Sequence, residues 1–139
     1  AKAGKEIKGR FIGNFDGLSD LLNSLERQIE RTGRIVLCDG TPVIVTAVHT
    51  RLGYLLQGDE SRIMKKAKIL AIKKIKERGI DALFVGDIHD EWQVDVAEND
   101  VDALKEVFTE AFREAGEFFN YRLPIECDAK VGLTWASTH

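Results

Sequence analysis

Two strand-forming stretches lie so close together in this chain that the residues between them must form a turn. Residues 82–85 are a continuous apolar run, and residues 92–96 alternate apolar and polar side chains. Both patterns are typical of β-strands, and the second is typical of a strand with one buried face. The sequence therefore predicts that the tripeptide His-Asp-Glu at 89–91 lies at or near the tip of a β-turn-β unit.

The tripeptide places two carboxylates, Asp90 and Glu91, side by side in the chain. Like charges repel at neutral pH, so a site that keeps both ionised needs a compensating charge, usually a hard divalent cation such as Mg²⁺. The plainer interpretation is a solvated turn, since Asp favours turns and charged residues are mostly exposed. The two residues alone leave both interpretations open.

The residues around the tripeptide carry a family resemblance. Residues 86–94 resemble motif C of the family A DNA polymerases, which is a His-Asp-Glu turn between two strands of the palm. The resemblance implies that Asp90 binds the catalytic magnesium ions. It also implies that Glu91 supports the site and that His89 contacts the primer end.

Two further segments extend the resemblance to phage-type members of that family. Residues 33–59 resemble the palm hairpin and the long helix that follows it, which implies that Gln57 contacts the DNA minor groove and that His49 is a further DNA contact. Residues 129–139 resemble the family's terminal segment, which implies that His139 lies near the catalytic centre and contacts DNA.

The chain also departs from the family pattern. The family usually has Asn where this chain has Gly53, and neither motif A nor motif B is present before residue 33. Residues 1–32 resemble the fingers helices that follow motif B. The resemblance thus implies a fingers-derived helical segment at 1–32 and a palm portion at 33–139.

The implied function is that of the carboxyl-terminal part of a template-directed DNA polymerase. Such a part would use Mg²⁺, primer-template DNA and a deoxynucleoside triphosphate. It would also need a second polypeptide, or an N-terminal portion, that carries motifs A and B, and the isolated chain would be inactive. One alternative is a non-catalytic module that binds DNA or a replication partner. Another is a small metal-dependent hydrolase that uses residues 89–91.

Periodicity predicts an α+β fold in which an antiparallel palm-type sheet packs on long helices. Asp39-Gly40 indicates a tight hairpin turn, with Pro42 tolerable only at a strand start or edge. The other expected elements are a helix at 16–31, strands at 35–37 and 43–45, a long helix at 53–78 ended by Gly79, a helix capped by Asn99, and a last strand at 125–131.

Composition fits a folded domain, with 44% hydrophobic and 31% charged residues in 139. Cys38 and Cys127 are expected to be buried free thiols in a reducing compartment. No apolar run approaches about 18 residues, so we expect a cytoplasmic protein without a membrane partner.

The net charge of −3 is unevenly distributed, because a basic run interrupted by one acid, Glu77, precedes an acidic region. A run of this kind is commonly a solvated helix face, and it otherwise suits contacts with a phosphate backbone. Its cations are Arg62, Lys65, Lys66, Lys68, Lys73, Lys74, Lys76 and Arg78.

Overall fold

The computed structural model describes residues 2–138 as helices combined with two small antiparallel sheets, so the predicted α+β class is confirmed. The elements are α1 (Lys2–Gly13), α2 (Leu18–Thr32), β1 (Arg34–Val36), β2 (Pro42–Ile44), α3 (Arg51–Arg78), β3 (Ala82–Ile88), β4 (Glu91–Val96), α4 (Val101–Phe118) and α5 (Trp135–Thr138), with single 3₁₀ turns at Val48–Thr50 and Glu98–Asp100. The chain divides between residues 59 and 60 into two compact units.

In the first unit, α2 packs on the β1–β2 hairpin. Leu25 of α2, Ile35 of β1 and Val45 after β2 are buried together and form its core. Gly33 ends α2 in the left-handed conformation, with φ of 68°, and its N–H donates to the Ile29 carbonyl at 2.7 Å. The helix therefore turns directly into β1, which keeps the core residues of the two elements in contact.

The β1–β2 loop is one residue longer than the predicted tight turn. The Leu37 N–H donates to the Thr41 carbonyl at 3.0 Å, and the Gly40 N–H donates to the Leu37 carbonyl at 2.9 Å. Gly40 has φ of 84°, so the loop combines a turn with a left-handed glycine, as three-residue hairpins commonly do. Pro42 is the first residue of β2, which agrees with the expectation for a strand start.

In the second unit, the β3–β4 hairpin packs on α3 and α4. Four aromatic rings join the hairpin to α4, and the closest pair is Trp92 and Phe112, stacked with ring centroids 5.0 Å apart. Trp92 also meets Phe84 and Phe108, each at 5.5 Å. Trp92 and Phe84 therefore belong to the core, as strand aromatic residues usually do.

Glycine ends α3 where the sequence predicts. Gly79 has φ of 66°, and the N–H of Ile80 donates back to the carbonyl of Ile75 at 3.1 Å. Ile75 and Ile80 are both buried in the same core cluster. This combination of a left-handed residue, a reverse hydrogen bond and an apolar contact is the Schellman motif.

One predicted helix cap and one predicted strand are wrong. Asn99 lies inside the 3₁₀ turn and makes no side-chain cap for α4, whereas the Asp100 carboxylate accepts the Asp81 N–H at 2.8 Å. Residues 125–131 are not a strand. Ile125 and Cys127 pack against buried side chains of α3 and α4. Their alternation with polar residues therefore comes from a loop segment that lies against helices, and not from a strand in a sheet.

The cysteine prediction is confirmed in part. Cys38 and Cys127 are thiols that are not joined in a disulfide, but each is only half-buried. Burial raises the pKa of the Cys127 thiol, and this effect outweighs a hydrogen bond with Thr109. The Cys127 thiol is therefore kept protonated and is a weak nucleophile.

Much of the basic run is paired within the second unit. Glu110 of α4 accepts from Arg78 at 2.6 Å and from Lys74 at 3.0 Å, and Lys74 also meets Glu114 at 2.8 Å. These contacts join α3 to α4 along one side. No helix within residues 2–138 is both long and apolar enough to span a membrane.

Replacement of Gly116 by Ala tests the packing of α4 against the loop that follows it. A Cβ at this buried position would lie 2.7 Å from Cγ1 of Ile125, so we expect a loss of about 1–3 kcal/mol in the free energy of unfolding, measured by urea titration. Gly9→Ala in α1 is the control, since nothing lies within 4 Å of its added Cβ. That variant should gain about 0.5–1 kcal/mol through helix propensity. Equal stability of the two variants would contradict the close packing.

Glu110→Gln tests the ion pairs between α3 and α4. Hydrogen bonds from Arg78 and Lys74 lower the pKa of Glu110 from 4.5 to about 2. A lowered carboxyl pKa stabilises the folded state above pH 4.5, and this contribution disappears as the pH falls toward 2.

Because Glu110 is partly exposed, we expect Glu110→Gln to lose only about 1 kcal/mol at pH 7 and progressively less below pH 4.5. Urea titrations at several pH values measure the difference. Glu117→Gln, which removes an exposed pair with Arg113, is the control and should change little. A loss at pH 2 as large as that at pH 7 would contradict the ionic origin.

Candidate active-site hairpin

His89 and Asp90 form the two-residue turn of the second hairpin. Ile88 pairs with Glu91 as the last rung, so the tripeptide lies at the tip, as predicted. His89 and Asp90 are both exposed. His89 has φ of 53°, a conformation that few residues other than glycine adopt, although His is among the more tolerant. The backbone thus presents the Asp90 carboxylate at the end of a short, well-paired hairpin.

A β-bulge at Val85 changes the face on which the end of β3 presents its side chains. Phe84 pairs with Val94, but the register then shifts so that Asp87 pairs with Trp92. Trp92 and Val94 both pack on the helical core, so Phe84 and Asp87 face the same side although three positions separate them. Bulges commonly re-aim side chains in this way.

The re-aimed Asp87 meets a lysine of α3. The Lys68 ammonium contacts the Asp87 carboxylate, and it also lies 4.5 Å from the centroid of the Phe84 ring. Both contacts are with β3, on the strand that leads into the turn. Lys68 therefore joins the long helix to the turn-proximal part of the hairpin by one ion pair and one cation–π contact.

The two adjacent carboxylates have different surroundings. Glu91 is half-buried and its Oε1 accepts a hydrogen bond from Nε2 of Gln93, whereas Asp90 is exposed. Carboxylate oxygens are suitable ligands for Mg²⁺. Within residues 2–138, however, no three His, Cys, Asp or Glu side chains are grouped to hold a metal ion. The tip thus suits Mg²⁺ chemically and supplies only part of a ligand set.

Two of the DNA-contact candidates, His49 and Gln57, lie in the first unit. His49 is in the 3₁₀ turn before α3, Gln57 is on α3, and both side chains are exposed. At Gly53, nothing lies within 4 Å of an added Cβ. Steric crowding therefore does not explain why this position is a glycine. His139 lies outside the described residues.

Sequence reasoning assigned no role to Arg51, which fixes the start of α3. Its guanidinium donates to the carbonyls of Leu22 and Val48 at 3.0 and 2.8 Å and pairs with Glu26 at 3.2 Å. It thus ties α2 to the 3₁₀ turn that carries His49. The contacts of Lys68 and the bulge at Val85 were also not predicted. One lysine in a basic run has no distinguishing pattern, and one extra residue in a strand does not change the periodicity enough to be recognised.

Comparison with known proteins decides the family. The family model of DNA polymerase family A matches residues 2–137. The chain belongs to this family. Its resemblance to the carboxyl-terminal portion of phage-type members is also confirmed, because the matched region lies toward the C terminus of longer phage enzymes.

Among those family A relatives is the DNA-directed DNA polymerase of Escherichia phage Phieco32, 30% identical over the whole chain and 24% of the relative. The polymerase of Escherichia phage T7 is 27% identical over 98% of the chain and 22% of the relative. The chain therefore spans about a quarter of the length of the curated relatives it matches.

A solved structure shows the same fold. It is the POL domain of Pol1 from M. smegmatis in complex with DNA primer-template and dNTP. The TM-score is 0.73 at 21% identity, over 82% of this chain and 22% of that one. The α+β fold of this chain is therefore like that of part of a polymerase domain.

Substitution of His89 tests the left-handed turn. We expect His89→Gly to stabilise the isolated chain relative to His89→Val by about 1–2 kcal/mol, because a β-branched residue is disfavoured at φ of 53°. Urea titration of the two variants measures the difference.

Asn99 supplies a matched comparison, because it is exposed and its φ is not positive. The Asn99→Gly variant should be less stable than Asn99→Val, or equally stable, since glycine loses more backbone entropy on folding. The same order at both positions would contradict a left-handed His89.

Proposed function

We propose that this chain is the carboxyl-terminal part of a template-directed DNA polymerase and that Asp90 is a ligand for the catalytic Mg²⁺. The observation that carries the proposal is the exposed Asp90 carboxylate in the two-residue turn of the β3–β4 hairpin, in a chain that belongs to family A. Mg²⁺, when bound, would activate the primer 3′ hydroxyl and neutralise charge on the transferred phosphate.

The residues of the tip have separate proposed tasks. Asp90 would bind the metal with a carboxylate that protrudes from the sheet. Glu91 would support the site, since its contact with Gln93 restrains it. His89, exposed beside Asp90, would contact the primer end.

The first unit would bind the primer-template. The side chains of Gln57 and His49 are exposed and make no hydrogen bond within the described part of the chain, so both are accessible to DNA. Arg51 would hold the 3₁₀ turn that carries His49. At Gly53 the side-chain amide usual in the family is missing, so we expect one hydrogen bond fewer to the duplex. The predicted DNA role of His139 stays part of this proposal.

Catalysis would need further polypeptide. Two-metal phosphoryl transfer holds its ions about 3.5–4 Å apart, which takes more carboxylates than the tip supplies. The relatives are about four times as long as the matched region, so we propose that an N-terminal portion or second polypeptide supplies motifs A and B. The isolated chain would then be inactive, and its deoxynucleoside triphosphate would bind only in the assembled enzyme. The fingers-derived segment at 1–32, the palm portion at 33–139 and the cytoplasmic location stay predictions.

Primer extension tests the proposal. The chain is assayed alone and mixed with a polypeptide that carries motifs A and B, on a primer-template with deoxynucleoside triphosphates and Mg²⁺. We expect incorporation only in the mixture. Asp90→Asn should reduce that incorporation at least about 1000-fold, because it removes a charged metal ligand without changing side-chain size.

Asp95→Asn is the matched control, since Asp95 is an exposed aspartate on β4 of the same hairpin. It should retain incorporation within about twofold, as expected for a surface change away from the tip. Full activity of Asp90→Asn would refute the metal role. DNA binding without incorporation in any mixture would favour the alternative of a non-catalytic binding module.

A further inference from the structure

Lys68 is a member of the basic run that contacts the β3–β4 hairpin. It reaches from α3 to the strand that carries the turn, where it meets Asp87 and the Phe84 ring. Its side chain is 24% exposed, whereas Lys73, which pairs with Glu77 within α3, is 71% exposed. Lys68 is thus the more restrained of the two lysines and the one that contacts the hairpin.

The contact lies close to the turn of the hairpin. Phe84, Trp92, Val94 and Val96 anchor the hairpin to the helical core, but beyond Trp92 the tip residues His89 and Asp90 are exposed. Asp87 pairs with Trp92 across the sheet, so it is the last residue of β3 that faces the helix before the turn. An ion pair here restrains the direction in which the tip leaves the core.

The pair is suited to orientation more than to global stability. The Asp87 side chain is 60% exposed, and exposed ion pairs contribute about 0.2–1 kcal/mol. A restraint of that size is small against a whole domain but is sufficient to bias one short segment. The Val85 bulge serves the same contact, because without the register shift Asp87 would face away from α3.

We propose that Lys68 is a positioning residue for the Asp90 carboxylate, acting through its ion pair with Asp87 and its contact with Phe84. This inference rests on the proposed function of Asp90. Residues that orient a metal ligand from outside the coordination sphere affect metal affinity or activity when they are removed. Because the exposed Lys68–Asp87 pair contributes at most about 1 kcal/mol, its loss should change Mg²⁺ affinity by no more than about fivefold.

Three variants separate the charge from the packing. Lys68→Met keeps the apolar stem over Phe84 and removes the ammonium, Asp87→Asn removes the opposite charge, and Lys68→Arg keeps the cation. Lys73→Met is the control, since it breaks an exposed ion pair with Glu77 on the same helix and away from the hairpin.

The first measurement uses the chain by itself. Amide hydrogen exchange of residues 86–92 should accelerate up to about fivefold in Lys68→Met and Asp87→Asn, which corresponds to the loss of about 1 kcal/mol locally. The exchange rate of these residues should stay at the wild-type value in Lys73→Met, and also in Lys68→Arg, which keeps the cation. Unchanged exchange in Lys68→Met would overturn the proposed restraint.

The second measurement uses the reconstituted polymerase. We expect Lys68→Met and Asp87→Asn each to raise the Mg²⁺ concentration for half-maximal incorporation by up to about fivefold, with the affinity for primer-template unchanged. The double variant should be no worse than either single one, because both remove the same interaction. Additive effects, or an effect equal to that of Lys73→Met, would overturn the inference.

The activity of the Asp90→Asn enzyme distinguishes the proposed metal role of Asp90 from the proposed positioning role of Lys68. If Asp90→Asn is inactive and Lys68→Met has normal Mg²⁺ dependence, positioning is wrong and the proposed function stands. If Asp90→Asn is fully active, the proposed function itself is wrong, and the positioning role falls with it.

Discussion

The packing of Trp92 between the β3–β4 hairpin and α4 is the contact on which the candidate site depends. A two-stranded sheet is marginal in water unless another layer covers one of its faces. Trp92 meets three rings, one from its own sheet and two from α4, and so supplies much of that layer. Buried side chains of α3 and α4, among them Ala71, Ile75, Val107 and Ala111, pack in one cluster, and the ion pairs of Glu110 add to that contact, which gives the hairpin a platform of two helices. A carboxylate at the tip can be held in one place only because the base of the hairpin is fixed in this way.

Local backbone geometry then sets where that carboxylate lies. The turn leaves His89 and Asp90 beyond the last pair, and the positive φ of His89 sets the path into Asp90. The Val85 bulge turns the end of β3 so that Asp87 faces α3, where Lys68 meets it. The φ of His89, the register shift at Val85 and the Lys68–Asp87 ion pair therefore all affect the position of the turn. Asp90 in this turn is exposed. Its neighbour Glu91 is half-buried and accepts a hydrogen bond from Gln93, so it is more restrained.

The sequence was informative wherever one residue type has few alternatives. Gly79 ended α3, Pro42 began a strand, and the alternation after Glu91 marked the buried face of β4, because backbone sterics and burial leave these residues little choice. Prediction was wrong where two environments give one pattern, as at residues 125–131, whose alternation came from packing on a helix. Contacts between distant residues, such as Lys68 with Asp87, could not be predicted because they depend on the register of β3. The proposed roles of His49, Gln57 and Asp90 come from the family resemblance, since composition and spacing do not identify a DNA contact or a metal ligand.

The two-residue turn also limits how this part of the chain can change over evolution. With Ile88 and Glu91 already paired, the turn contains no spare residue. An insertion or deletion of one residue would require either a different type of turn or a shift in the pairing of β4 against β3, and a one-residue shift turns the side chains of the displaced strand to the opposite face. Substitutions at the tip alter chemistry one side chain at a time, whereas a change in length would displace the whole group. The length of this hairpin should therefore vary less among functional descendants of the chain than the identity of most residues in it.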